Sequence, residues 1–121
     1  MKDSVLYIDD EFINLELFYI NFSDKFEVFR AESGKEGLEI LAKNKGIKVV
    51  ITDYKMPGMN GLEFIEKAKP VYPETKFSIL TGYDIFEEIQ QAIDKGYVEN
   101  YFSKPFDLEK LEKAITTMNN S

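Results

Sequence analysis

Short apolar runs alternate five times with longer stretches in which apolar positions recur every three or four residues, the pattern of βα units around a parallel sheet. The runs Val5-Asp9, Phe26-Ala31, Val49-Asp53, Phe77-Thr81 and Val98-Phe102 are predicted strands. Helical stripes follow at Leu38, Leu41 and Ala42, at Leu62, Ile65 and Ala68, and at Ile85, Ile89, Ala92 and Ile93, with Leu108, Leu111, Ile115 and Met118 as the last. The first helix, roughly Phe12 to Phe22, is almost too apolar to show a clean stripe. Ser33 with Glu36, Asn60 with Glu63, and Asp84 with Glu87 each place a capping side chain three residues before an acid, which marks helix starts. Gly46 and Gly96 fall where helices should stop.

A chain of 121 residues suits one domain with one substantial core, so residues 1–121 are expected to form a single unit. The net charge of −7 argues against direct nucleic-acid binding, which depends on Lys and Arg neutralising phosphates. With no cysteine and no histidine, thiolate chemistry, the usual general base and the usual transition-metal ligand are all missing. Oxygen chemistry is what remains. The N-terminus lacks a signal-peptide pattern and no run approaches about 18 apolar residues, so cytoplasmic residence without membrane contact is the expectation.

Three predicted strands end in charge: Asp9-Asp10 closes the first, Asp53 the third, and Lys104-Pro105 follows the fifth. Ligands of open α/β sheets bind outside the carboxyl ends of the strands, so these residues can converge there. Three carboxylates gathered together call for a cation, and a hard divalent ion with oxygen ligands, Mg²⁺ above others, answers better than a single lysine. Such a set suits phosphoryl transfer, which needs positioning and charge neutralisation. Asp53 is then the nucleophile, Asp9 and Asp10 hold the metal, Lys104 contacts one phosphoryl oxygen and the Thr81 hydroxyl another. Gly82 lets a backbone N–H approach the same group.

These residues lie in four segments, VLYIDDE (Val5 to Glu11), VVITDYKMPGMNGLEF (Val49 to Phe64), ILTGY (Ile79 to Tyr83) and YFSKPF (Tyr101 to Phe106). In this order and at these intervals they resemble the receiver domain of two-component response regulators over nearly the whole chain. The resemblance implies a flavodoxin-like (βα)5 fold with strand order 2-1-3-4-5. It also implies transfer of a phosphoryl group to Asp53 from a sensor histidine kinase or a histidine phosphotransfer protein. By motif position, Asp10, Asp53 and the backbone carbonyl of Lys55 ligate Mg²⁺, with Asp9 acting through water. Thr81 and Tyr101 are the implied switch residues, coupling phosphorylation to the fourth helix, fifth strand and fifth helix and so to an output module or partner protein. The Lys104-Pro105 bond is expected to be cis, and receivers often form homodimers when phosphorylated.

Two variable positions beside the acceptor, Lys55 and Tyr83, are expected to screen the phosphoryl group and lengthen its lifetime. The stretch Gly96 to Tyr101 departs from the small-residue pattern common in the family, which places Tyr97, Val98 and Tyr101 near a protein-binding surface. Met56-Pro57-Gly58 and Gly61 read as loop-shaping residues, and Glu109-Lys110 with Glu112-Lys113 as a solvated helix face. A haloacid-dehalogenase-type phosphatase would need Asp-x-Asp after its first strand, where this chain has Asp9-Asp10-Glu11. A flavin carrier would need a Ser/Thr/Gly-rich loop where Glu11-Phe12-Ile13-Asn14 stands. A receiver-like scaffold that no longer takes phosphate fits poorly with a complete acceptor set.

Overall fold

The computed structural model describes residues 2–82 and 86–121. Five strands and five helices alternate: β1 (Ser4–Ile8), α1 (Phe12–Phe22), β2 (Glu27–Ala31), α2 (Gly34–Lys43), β3 (Val49–Asp53), α3 (Gly61–Ala68), β4 (Lys76–Thr81), α4 (Phe86–Asp94), β5 (Asn100–Ser103) and α5 (Leu108–Asn119). All strand pairs are parallel, in the order β2-β1-β3-β4-β5. This is the flavodoxin-like three-layer arrangement expected.

Alternation along the strands sorts the core into two halves, because successive side chains of a strand face opposite sides of the sheet. Leu6, Ile8, Val50, Phe77 and Ile79 pack with Leu41, Phe64, Ile65, Ile89 and Ala92 beneath α2, α3 and α4. Val5, Tyr7, Val49, Ile51, Leu80 and Phe102 pack on the other side with Leu15, Phe18 and Phe22 of α1 and Leu111, Ile115 and Met118 of α5. On α1, Leu15, Phe18 and Phe22 are buried, whereas Ile13, Leu17 and Ile20 face solvent. The helix is apolar on two sides, which explains its blurred periodicity.

Helix starts follow the capping signals. The Ser33 side chain accepts from the Glu36 amide, and Asn60 and Glu63 form a reciprocal capping box. A further cap, Asp107 accepting from the Lys110 amide, opens α5 without an acid at the third position. Asp84, Ile85 and Tyr83 lie outside the described residues.

β2 begins one residue later than predicted and β5 two. The Tyr97 and Val98 amides both return to the Ala92 carbonyl, at 2.9 and 3.3 Å, after Gly96 turns the chain with φ +80°. These N–H groups satisfy the end of α4, so β5 starts only at Asn100. Val98 is correspondingly buried in the core, which corrects its expected place on a binding surface. Tyr97 and Tyr101 are half-buried against the same core, and Tyr97 borders a cleft between α3 and α4. The expected solvated face of α5 includes Glu112, whose carboxylate meets Lys25 at 2.6 Å.

Candidate functional site

The chain reverses its direction of travel across the sheet between β1 and β3, whose neighbouring carboxyl ends therefore form a crevice. Asp53 is the last residue of β3, while Asp9 and Asp10 follow β1 directly. One carboxylate oxygen from each of Asp9, Asp10 and Asp53 lies within 4.8 Å of the others. The fifth strand brings the cation: the Lys104 amide donates to the Thr81 carbonyl at 2.9 Å, continuing the β4–β5 ladder. Lys104 Nζ then lies 3.0 Å from Asp9 Oδ2 and 3.4 Å from Asp53 Oδ1. The Lys104-Pro105 peptide is cis, as expected.

The resulting open cleft is lined by Asp10, Glu11, Asp53, Lys55, Met56, Pro57, Gly82 and Lys104. Asp9 and Thr81 sit behind it, both fully buried. Asp10 is exposed and Asp53 is 6% exposed. Lys55 stands exposed on the rim. Half-buried Tyr101 lies on β5 paired with Ile79. Of the expected set, then, Asp10, Asp53, Lys55, Gly82 and Lys104 meet in the cleft, and Asp9 supports it from beneath.

Two glycines at the cleft have different surroundings. A Cβ on Gly61 would lie 2.3 Å from the Asp53 carbonyl oxygen, so α3 can start against the end of β3 only without a side chain there. The Gly61 amide donates to the Tyr54 carbonyl at 2.7 Å, closing the loop that follows Asp53. At Gly82, by contrast, a Cβ would meet only Lys104 Cβ at 3.9 Å, so its neighbours do not demand glycine. Gly58, with φ +78°, supplies the one left-handed turn in the Met56-Pro57-Gly58 loop.

Burial, with the Asp9 carboxylate beside it, pushes the Asp53 carboxyl up to about 6, against the opposing pull of Lys104 and of the Tyr54 amide. For Lys104, burial acts to lower the pKa, but the hydrogen bond and charge of Asp9, with Asp53 adding, outweigh it and hold the ammonium above its ordinary value. The donor set is all oxygen, with more carboxylates than cations, and fits a hard divalent ion such as Mg²⁺.

Sequence reasoning missed Tyr7. Its buried hydroxyl donates to Asp9 Oδ2 at 2.7 Å, and burial, reinforced by the Asp9 charge, pushes its pKa far upward, keeping it a donor. The signal was available: residues two apart on a strand share a face, so a tyrosine two before Asp9 can reach it.

The family model for the response regulator receiver domain matches residues 5–116, and the chain belongs to that family of two-component signalling modules. It is 28% identical over 116 residues to sporulation initiation phosphotransferase F of Bacillus subtilis, covering 95% of this chain and 92% of that protein. To a chemotaxis protein CheY homolog of Campylobacter jejuni it is 39% identical over 97 residues, 75% of this chain and 74% of the relative. The structure of Vibrio cholerae chemotaxis protein CheY4 superposes with a TM-score of 0.87 at 28% identity, covering 98% of this chain and 99% of that one. Receiver domains act with histidine kinases or phosphotransfer proteins and with output modules, and they bind Mg²⁺ at an acidic pocket. Among the described residues no helix is long and apolar enough to cross a membrane.

Proposed function

We propose that the domain takes a phosphoryl group from a phosphohistidine of a sensor kinase or phosphotransfer protein onto Asp53. The observation that carries this reading is the convergence of Asp9, Asp10, Asp53 and Lys104 from three strand ends. An Asp53 carboxylate oxygen attacks phosphorus, the new P–O bond forms as the P–N bond to the donor imidazole breaks, and the imidazole leaves. Asp10, Asp53 and the Lys55 carbonyl would hold Mg²⁺, with Asp9 acting through water, and the bound ion would supply charge that neutralises the phosphoryl oxygens. Lys104, already 3.4 Å from Asp53, turns to a phosphoryl oxygen, and the Thr81 hydroxyl and Gly82 amide donate to the others. Recruitment of the Thr81 hydroxyl, with Tyr101 following on β5, passes the change to α4, β5 and α5. The altered surface then addresses an output module or partner, or a second copy of the domain.

A protein donor is supported by the surface beside the cleft. A groove lined by Leu17, Pro105, Phe106 and Leu108 shares Lys104 with the acceptor cleft and continues onto the exposed apolar residues of α1. Its own chemistry is confined to phosphoryl transfer in and hydrolysis out. Lys55, exposed where it lines the cleft, and Tyr83 slow the second step.

The test is intact mass after incubation with acetyl phosphate and Mg²⁺. A gain of one phosphoryl group in the wild type, absent from Asp53→Asn and without Mg²⁺, is expected. Equal labelling of Asp53→Asn contradicts the assignment.

A further inference from the structure

We propose that Tyr7 is a positioning residue of the metal site: its hydroxyl fixes the Asp9 carboxylate so that Asp10 and Asp53 are left as the direct carboxylate ligands. The inference rests on the reading of the acidic cluster as a Mg²⁺ site and adds to it a residue that no motif assigns. Asp9 Oδ2 accepts from Tyr7 Oη at 2.7 Å and from Lys104 Nζ at 3.0 Å, and Oδ1 accepts from the Glu11 amide at 3.0 Å. A carboxylate has about four acceptor positions, so the protein itself occupies most of those on Asp9. Its remaining capacity serves an ion through water better than as a full ligand. Asp53 takes the Tyr54 amide at 2.9 Å and Lys104 Nζ at 3.4 Å on Oδ1 alone, which leaves Oδ2 for an ion, and Asp10 is exposed in the cleft.

The tyrosine is held as firmly as the group it aims. Its backbone pairs with both neighbours, Arg30 of β2 and Ile51 of β3, and its ring stacks on Phe18 at 4.3 Å between centroids and 7° between planes. With the ring stacked on Phe18 of α1, the hydroxyl is directed to Asp9. Groups that hydrogen-bond metal ligands set the ligands' orientation, and their loss typically lowers metal affinity about 10- to 100-fold.

Tyr7→Phe removes the hydroxyl and keeps the stacked ring. Titrating MgCl₂ into the full chain, followed by the amide NMR shifts of Asp10 and Asp53, is expected to give a Kd about tenfold weaker in Tyr7→Phe than in wild type. Asp10→Asn, a direct ligand, is expected to abolish the shifts. Wild-type binding with an unchanged or tighter Kd in Tyr7→Phe overturns the role of Tyr7 and leaves the Mg²⁺ site standing. Absence of wild-type binding overturns the site and the inference with it. The wild type offers a measurement free of substitution: a slowly exchanging Tyr7 hydroxyl proton that shifts on adding Mg²⁺ is expected, and a hydroxyl in rapid exchange with water contradicts the arrangement.

Discussion

The two ends of this sheet bury polar side chains on opposite terms. At the amino end the buried groups are neutral and turn to backbone carbonyls. Ser4 Oγ reaches the Gly46 oxygen at 3.5 Å, Thr75 Oγ1 the Ile47 oxygen at 3.4 Å, and Asn119 Nδ2 donates to Ser4 O and Ile115 O at 3.1 and 3.0 Å. At the carboxyl end buried Thr52 and Thr81 are joined by two buried carboxylates, and Asp53 faces the like charge of Asp9. The first end ties α5 to β1. The second gathers like-charged carboxylates, whose repulsion a bound cation would relieve.

Substitutions can break or sharpen this contrast. The largest effect is expected at Asp53. Because its folded pKa stands at about 6, above the unfolded value of 3.8, the native state binds more protons between those values, and its stability falls as pH rises through that window. Above it, the ionised group costs on the order of 2–3 kcal/mol. Metal-free Asp53→Asn should therefore be more stable than wild type by about that amount in urea at pH 8, with the gain shrinking towards pH 4. A destabilised variant at pH 8 would make the two ends alike.

Asn119→Ala should do the reverse. It strips partners from two carbonyls in a buried corner and is expected to cost about 2 kcal/mol in the same urea assay, independent of Mg²⁺. A smaller effect, about 1 kcal/mol, is expected for Asn60→Ala, which removes the side-chain half of the capping box of α3. Asn60 sits at the carboxyl end yet is neutral, so the loss should not vary between pH 5 and 8. If it did, the distinction would lie in location, not in charge.

Much of this was legible in the chain because each strand or helix carries its own period. Leu6 and Ile8 against Val5 and Tyr7 sort the sheet faces, and Asp53 and Lys104 announce themselves as charges closing apolar runs. Val98 misled because apolar content cannot report where its amide goes, and here it returns to Ala92. Asp107 was overlooked because its cap lacks the reciprocal acid. Tyr7 hid within an apolar run, its ring serving the core and its hydroxyl the site. A side chain whose ring lies in the core and whose hydroxyl meets Asp9 leaves one signal, its spacing from Asp9.

The most direct measurement is chemical localisation of the phosphoryl group. Borohydride reduces an aspartyl phosphate to homoserine, so the chain labelled with acetyl phosphate and Mg²⁺ can be reduced, digested and sequenced. Homoserine at position 53 is predicted, with Asp9 and Asp10 intact. Homoserine at either of those two positions, or none in a chain that has gained the phosphoryl mass, would contradict the account of Asp53 as the acceptor.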